Sequence, residues 1–292
     1  SKTPFLANLI GLVTNMILDP VLILGPGPFP KLGVTGAAIA TVTAQAIVMS
    51  IMALAVIIRK KENVLKGIHL LAKIPREYLG GICRIGIPTA VQGMAYCAIS
   101  MVLTRMVSGY GAEAVATQRV GGQIESISWN TADGFAAALN AFIAQNYGAG
   151  KMDRVHKGVR TCMGITAGAT VLLSVILYNY ASICYQLFTT DAQVVVIGEQ
   201  ILHFLVPTYF TYIAIEILSG TLRGIGDSWL PMIICCLGIC VLRVVWILTA
   251  VPLKNDILTI VFSYPLTWTV TSIAFIVYYV FFSRLKTVGR KR

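Results

Sequence analysis

An amide and a carboxylate in the first apolar stretch of the chain have the spacing of a small cation site. Asn15 and Asp19 are four residues apart, so on a helix their side chains are neighbours on one face. Asp19 is followed by Pro20, which cannot donate a backbone hydrogen bond and tends to kink a helix. A carboxylate beside an amide at a kink can hold a proton or Na⁺, so the pair is predicted to be a site for one of these cations. The alternative is a capping role for Asp19 at a helix end.

A second set of residues with chemical potential lies inside other apolar stretches. Its members are Glu125, Trp129, Asp133, Glu216 and Arg243. The first three are spaced i, i+4, i+8, which aligns them on one face of a helix. Charges at membrane depth are costly and usually face a cavity, so the set is predicted to line a substrate cavity or to form a buried charge network. Arg243 is expected to pair with Glu125 or Glu216. A purely structural salt-bridge cluster is the alternative.

The other reactive residues indicate no enzyme chemistry. The seven cysteines lack the spacing of metal ligands, and the sequence contains no recognisable nucleophile–base pair or metal triad. The glycine-rich stretch from Arg223 to Asp227 follows a predicted helix rather than a strand. It therefore favours a tight turn over a nucleotide-binding loop. The chain is predicted to be no enzyme and to have no cofactor.

The composition places these residues in a polytopic, all-α membrane protein. Of the 292 residues, 57% are hydrophobic and 12% are charged, and the mean hydropathy is +0.78. Soluble domains have roughly 25% charged residues. A helix of about 20 apolar residues crosses the hydrocarbon of a bilayer, and the runs are continuous rather than alternating as in barrel strands. The eight predicted spans are Pro4–Leu24, Gly33–Ile58, Leu79–Val107, Ala112–Asn146, Val159–Phe188, Val194–Gly220, Trp229–Val251 and Ile257–Phe282.

The basic residues are distributed unevenly between the two sides of the predicted membrane. The chain has 23 Lys and Arg against 12 Asp and Glu, which gives a net charge of +11. Of these 23 residues, 18 fall in one set of alternate breaks and chain ends, and 2 fall in the other set. Because basic loops stay on the cytoplasmic side, both chain ends are predicted to be cytoplasmic. The charge thus indicates topology and no nucleic-acid partner.

An internal repeat indicates how the helices are grouped. Ser1–Gly11 aligns with Ser228–Gly238, with identical residues at three positions, and each copy continues as two helices and a basic end. Parallel repeats of this kind are a known transporter architecture. We therefore expect the chain to hold the last two helices of one six-helix half and all of the other half. Four helices are then expected to be missing before Ser1.

This grouping predicts four regions along the chain. They are the last two helices of an N-terminal lobe at 1–58, a cytoplasmic linker at 59–78, a six-helix C-terminal lobe at 79–283 and a basic cytoplasmic tail at 284–292. Within the linker, Val64–Ile74 has the pattern of an amphipathic helix on the inner leaflet, and a solvated linker is the alternative.

Five motifs in these helices resemble the multidrug and toxic compound extrusion (MATE) family. They are Asn15–Ile23 (NMILDPVLI), Gly33–Thr41 (GVTGAAIAT), Gly86–Pro88 (GIP), Gln145–Gly150 (QNYGAG) and Leu222–Asp227 (LRGIGD). They occur in the family's order over essentially the whole chain. The resemblance implies helices five to twelve of a twelve-helix, two-lobe fold, truncated at its N terminus. It also implies an antiporter that expels cationic or amphipathic organic compounds, driven by inward H⁺ or Na⁺.

The resemblance implies roles for individual residues as well. The DinF-like branch uses an Asn and an Asp four apart on helix five, together with an Asp on helix one. Asn15 and Asp19 match the first two, and Thr41 on the next helix is a further candidate. The NorM-like branch has acidic ligands on helices seven and ten, where this chain has Gln92 and Tyr212 instead. The match therefore favours the DinF-like branch.

The mechanism implied by the resemblance is alternating access by rocking of the two halves. Protonation of Asp19 is expected to bend the helix that contains Pro20 and to weaken drug binding. The expected partners are small organic substrates and the lipid bilayer, with a monomer in the plasma or inner membrane. Two alternatives stay open: a lipid-linked precursor flippase of the same superfamily, with a cavity made more cationic by Arg119 and Arg243, and an inactive truncated membrane protein.

Overall fold

Every described element of the chain is a helix. The computed structural model describes residues 2–26, 30–58, 76–254 and 256–282. The predicted helix at Val64–Ile74, nearly all of the 59–78 linker and the 284–292 tail lie outside these residues. Contacts divide the chain into two compact units, Ser1–Ile74 and Pro75–Arg292, and each is described by itself.

The first unit is a pair of long helices joined by a short outer turn. Helix α1 spans Lys2–Leu24 and α2 spans Val34–Ile58. Leu32 N donates to Leu22 O at 3.0 Å where the turn closes. A Cβ atom on Gly36 would meet the backbone carbonyl of Leu22, so the absence of a side chain there lets the two backbones approach. Small residues at such crossings are how membrane helices pack without a hydrophobic driving force.

In its described residues the second unit contains ten further α-helices, with short 3₁₀ and π segments between some of them. The helices are α3 (Arg76–Val107), α4 (Ala112–Gly148), α5 (Met152–Asn179), α6 (Ala181–Gln186), α7 (Ala192–Leu205), α8 (Phe210–Gly224), α9 (Trp229–Cys235), α10 (Leu242–Ala250), α11 (Ile257–Val261) and α12 (Ser263–Val277). Helix α8 packs against α4, α5 and α12 at the centre of the unit. Its core includes the fully buried side chains of Tyr185, Tyr209, Leu218 and Phe275.

The glycine-rich stretch from Arg223 to Asp227 is a helix C-cap, which confirms the turn predicted from sequence. Gly226 has a φ of 84°, Gly226 N donates to Arg223 O at 2.9 Å, and Asp227 N donates to Leu222 O at 3.0 Å. These are the two hydrogen bonds of a Schellman motif, which needs a residue in the left-handed region. The stretch therefore ends α8 and starts the turn to α9.

Fewer of the described helices meet the length and hydropathy criteria for a membrane span than the eight predicted. Among the described residues, six helical stretches pass both criteria on their own, and α7 with α8 forms a seventh if the pair counts as one span bent by 54°. Helix α4 fills the predicted Ala112–Asn146 span as one unbroken helix of 37 residues. Its polar residues lower its hydropathy, which is why apolarity alone does not identify it as a span.

Candidate functional site

In the first unit, the structure places Asn15 and Asp19 side by side on α1. Asn15 Nδ2 lies 3.5 Å from Asp19 Oδ1, and both side chains are half-buried. Helix α1 continues past Pro20 to Leu24. Asp19 is therefore inside the helix rather than at its end, which speaks against the capping alternative.

A cavity of about 200 Å³ lies between α1 and α2 next to this pair. Asn15 lines it from α1 and Thr41 from α2, so two of the three predicted coupling residues share one cavity. Asn8 and Gln45 add two more side-chain amides to the lining. Asp19 lies one helical turn from Asn15 and is not among the lining residues. The four polar side chains together offer oxygen atoms of the kind that bind Na⁺ or water.

Asn8 and Gln45 are not among the residues predicted from sequence. The spacing of seven between Asn8 and Asn15, two helical turns, is the signal that places both on one face of α1. Gln45 follows Thr41 by four residues in the same way on α2.

In the second unit, Trp129 is the centre of an aromatic cluster. Its ring centroid lies 5.0 Å from that of Tyr209, 4.7 Å from that of Tyr212 and 5.0 Å from that of Trp268. The rings meet at tilted or edge-to-face angles, which aromatic pairs prefer. The four rings come from α4, the α8 region and α12, so the cluster joins three of the helices that pack at the centre of the unit.

A cavity of about 240 Å³ opens beside this cluster. The side chains with an aromatic or charged group that line it are those of Tyr96, Trp129, Tyr212, Arg243, Tyr264 and Trp268. Trp129 and Arg243, both predicted cavity residues, are thus brought together on one cavity. We refer to it below as the aromatic cavity. Flat rings around a space of this size suit an organic ligand with a planar or cationic group.

Arg243 has different neighbours from those expected from the sequence. Its Nη2 atom donates to Thr267 Oγ1 at 2.7 Å, and its guanidinium lies 4.0 Å from the centroid of the Tyr264 ring. The side chain is only 5% exposed. Glu125 and Glu216, expected as its ion-pair partners, have other neighbours. A hydroxyl and a ring face thus hold this cation at the cavity wall.

Glu216 belongs to a polar chain that reaches the aromatic cavity through a tyrosine. The Tyr212 hydroxyl donates to Glu216 Oε1 in a short hydrogen bond. Nearby, Arg223 Nη2 donates to Gln92 Oε1 at 3.0 Å, and Gln92 Nε2 donates to Tyr96 Oη at 3.2 Å. Tyr96 and Tyr212 line the same cavity. Hydrogen bonds therefore connect the cavity wall to the Glu216 carboxyl group through Tyr212, and to the Arg223 guanidinium through Tyr96 and Gln92.

Glu125 and Asp133 occupy different surroundings although they share a helix face with Trp129. Glu125 lines a separate cavity of about 90 Å³, which it shares with Tyr185 and Tyr264. Tyr264 lines both this cavity and the aromatic cavity. Asp133 is exposed on α4. Glu125, Trp129 and Asp133 thus lie on one side of α4 but in three different surroundings.

No group of three His, Cys, Asp or Glu side chains is placed to hold a metal ion within the part of the chain that the structure describes. The described cysteines are free thiols at scattered positions in the helices. The geometry of the site is therefore that of cavities lined by rings, amides and single charges.

Comparisons with known proteins point to a transporter family. The family model described as MatE matches residues 88–249. The probable multidrug resistance protein YoeA of Bacillus subtilis is 28% identical over 294 residues, covering 99% of this chain and 63% of the relative. The FAD transporter of Shewanella oneidensis is 29% identical over 194 residues, covering 66% of this chain and 42% of the relative.

Solved structures share the fold. The crystal structure of MATE in complex with MaL6 matches with a TM-score of 0.85 at 20% identity, covering 98% of this chain and 63% of that one. The chain spans less than two thirds of the length of the relatives and the solved structure that it matches.

Proposed function

The chain belongs to the MatE family of efflux transporters, and from this premise we propose that the whole protein is a secondary antiporter that exports cationic or amphipathic organic compounds in exchange for H⁺ or Na⁺. The family inferred from the five motifs is thereby confirmed, and proteins of this family are transporters rather than enzymes. The activity, substrates and coupling ion of the whole protein belong to the proposal, because the chain spans only part of its relatives.

The observation that carries the proposal is the aromatic cavity next to carboxyl groups. Trp129, Tyr212 and Trp268 present ring faces and edges to a space of about 240 Å³. A lipophilic cation over such a face gains about 0.5–2 kcal/mol, with the larger value in a desolvated site. Glu216, hydrogen-bonded to Tyr212, places a carboxyl group directly behind the wall. Rings and a nearby carboxyl group together recognise a flat organic cation without specifying its shape.

We assign ion coupling to the Asn15, Asp19 and Thr41 group, as in the DinF-like branch. The support is the 3.5 Å approach of Asn15 to Asp19 and the polar cavity between α1 and α2 that Asn15 and Thr41 share. Loading of a proton or Na⁺ on Asp19 would change the charge beside Pro20, at a point of α1 that lacks one backbone hydrogen bond. Alternating access between the lobes of the full-length transporter would then depend on whether Asp19 holds a proton or Na⁺.

The proposed topology has eight spans, with α4 and the α7–α8 pair each crossing the bilayer. Helix α4 is long enough, and as a span it would expose its polar residues to protein or to a water-filled cavity. The bias of basic residues favours cytoplasmic chain ends in the plasma or inner membrane. We propose that the transporter is a monomer.

The test of ion coupling is dye efflux from cells that express the full-length protein with Asp19→Asn. Efflux of a fluorescent lipophilic cation should fall at least tenfold, because the neutral amide cannot take up and release a proton. Asp153→Asn, which changes an exposed carboxylate at the start of α5, is the matched control and should leave efflux unchanged. Undiminished efflux by Asp19→Asn at equal protein levels would refute the assignment.

The second test addresses the second unit. Glu125→Gln should impair efflux while the protein still inserts into the membrane at the level of the parent. If the variant instead lowers only the amount of inserted protein and transport per molecule is unchanged, Glu125 has a structural role and no part in transport.

A second candidate function is export of anionic compounds, and Arg243 is the observation that favours it. Its guanidinium lies in the wall of the aromatic cavity beside a hydroxyl and a ring, which suits a planar substrate that carries a carboxylate or phosphate. A lipid-linked precursor and a flavin nucleotide, the substrate class in the name of the Shewanella relative, both have this chemistry. Competition decides between the candidates: inhibition of dye efflux by a flavin nucleotide, lost in Arg243→Gln, would favour the anion.

A further inference from the structure

A groove between α4 and α5 is separate from the cavities described above. Its volume is about 500 Å³, and it lies within the second unit. Apolar side chains of both helices form most of its wall, and two basic side chains of α5 stand at one end. The residues on which the argument rests are Phe135, Leu139, Phe142, Ile165, Arg154 and Lys157.

The groove runs from the end of the helix pair toward the middle of the bilayer. Helix α5 begins at Met152, so Arg154 and Lys157 lie in its first two turns and are exposed. Ile165 lies eight residues beyond Lys157, which is about 12 Å further along the helix axis. With α5 as a membrane span, which its length and hydropathy allow, the basic end would stand at the level of the lipid headgroups and the apolar end at the depth of the acyl chains.

The shape of the groove depends on a close approach at Gly158. A Cβ atom on Gly158 would meet the ring of Phe142, so this ring lies close against the backbone of α5. The ring forms an apolar wall directly beside the two basic side chains. A ligand in the groove would thus contact a cationic group at one end and a ring and aliphatic side chains at the other.

Charge complementarity identifies the kind of occupant. Two basic side chains in the first turns of a helix, where the backbone N–H groups also favour negative charge, suit a phosphate. Basic pockets between membrane helices bind anionic lipid headgroups. The acidic Asp153 is exposed on a neighbouring face of α5, outside the lining of the groove. A cationic substrate would be repelled by the basic end, so the groove does not extend the substrate site.

We propose that the α4–α5 groove binds one anionic phospholipid, with its phosphate at Arg154 and Lys157 and an acyl chain along Phe135, Phe142 and Ile165. The proposal does not depend on the transported substrate or the coupling ion, because none of these residues belongs to the candidate functional site.

The test compares two pairs of charge removals in the purified full-length protein. Binding of phosphatidylglycerol is measured in detergent by native mass spectrometry, with phosphatidylcholine as the neutral lipid. The Arg154→Gln, Lys157→Gln double variant should bind phosphatidylglycerol about 30-fold more weakly, since each basic group near the surface contributes about fivefold. The control double variant, Lys151→Gln with Arg160→Gln, removes the same charge from two exposed positions outside the groove, the N-cap of α5 and its third turn. It should change binding less than about threefold.

Three outcomes would overturn the proposal. Equal losses in the two double variants would indicate general attraction to a basic surface and no site. Equal binding of phosphatidylcholine and phosphatidylglycerol by the parent would exclude recognition of the headgroup. Competition by millimolar inorganic phosphate would show that the basic end binds a free anion without the acyl chain. A further variant, Thr161→Trp, keeps both charges and fills the apolar part of the groove, and should weaken phosphatidylglycerol binding at an unchanged melting temperature.

Discussion

Removal of the Trp129 ring is expected to have a large effect on the stability of the second unit. The ring contacts Tyr209, Tyr212 and Trp268 at centroid distances of 5.0, 4.7 and 5.0 Å. Each aromatic pair contributes about 0.5–1.5 kcal/mol beyond the burial of its surface, so the three contacts contribute roughly 1.5–4.5 kcal/mol. Replacement of a buried aromatic residue by Ala costs about 3–5 kcal/mol in total. Trp129 is half-buried, so Trp129→Ala is expected to lower the free energy of unfolding by about 3 kcal/mol, the lower end of this range.

The assay is thermal unfolding of the purified protein in detergent, followed with a dye that reacts with exposed thiols. The described cysteines are all free, so unfolding exposes groups for the dye. A loss of about 3 kcal/mol corresponds to a fall of roughly 6–12 °C in the melting temperature for domains of this size. Trp129→Phe keeps a ring at the position and should recover more than half of the loss.

The matched control is Trp229→Ala, because the Trp229 side chain is 50% exposed. It should shift the melting temperature by less than about 2 °C. A Trp129→Ala protein that melts within about 2 °C of the parent, or a shift as large in Trp229→Ala, would refute the view that the aromatic cluster holds α4, α8 and α12 together.

Three smaller changes have equally definite expectations. Gly36→Ala places a Cβ atom against a backbone carbonyl that cannot move aside, so it should lower the free energy of unfolding by about 1–3 kcal/mol. The control is Gly134→Ala, where the added Cβ atom meets open space. It should be neutral or stabilising in the same melting assay. Asp191 is the N-cap of α7, and its carboxylate accepts hydrogen bonds from two backbone N–H groups. Asp191→Ala removes this cap and should lower the free energy of unfolding by about 1 kcal/mol, and Asp191→Asn should restore most of the loss. Trp246→Phe removes the 2.8 Å hydrogen bond from the indole N–H to Thr259 O, so it should lower the free energy of unfolding by about 1 kcal/mol. Ligand binding in the aromatic cavity should be unchanged.

The sequence was sufficient for the helices, because their apolar runs are long and continuous. It was less informative about breaks within the runs. The predicted span Val194–Gly220 is two helices that meet at 54° near Pro207, and the predicted span Val159–Phe188 is divided between α5 and α6. Proline explains the first break, since it cannot continue the hydrogen-bond ladder. The second break has no proline but coincides with Tyr178, Asn179 and Tyr180, a more polar interruption that is too short to divide the predicted span by its hydropathy.

The partners of Arg243 could not be predicted because of the backbone that precedes it. Cys236–Val241 is a π-helical segment, which contains more residues per turn than an α-helix. One extra residue in a turn rotates all later side chains by about 100° relative to an uninterrupted α-helix. The expectation that Arg243 pairs with Glu125 or Glu216 rested on charge alone and took no account of this rotation. Its observed neighbours, Thr267 and Tyr264, lie on another helix at a rotation that the sequence does not encode locally.

The Asn15–Asp19 pair shows the opposite case, in which local spacing was enough. A four-residue separation on one continuous helix fixes the relative position of two side chains, whatever surrounds them. The cavity beside the pair was not foreseeable in the same way, since it depends on how α2 packs against α1 at Gly11 and Gly36.

The length of α4 gives it the properties of a lever. Its 37 residues form a rod of about 55 Å, against a hydrocarbon thickness of about 30 Å. Rotation of such a rod by about 10° displaces one end by roughly 10 Å relative to the other. Trp129 lies near the middle of α4, and Phe142 lies near its end, where the α4–α5 groove begins. A ligand that tilts α4 about its first residue would therefore move Phe142 about 1.8 times as far as Trp129, because the two residues lie about 45 Å and about 25 Å along the helix axis. The aromatic cavity and the α4–α5 groove would then be linked through one helix.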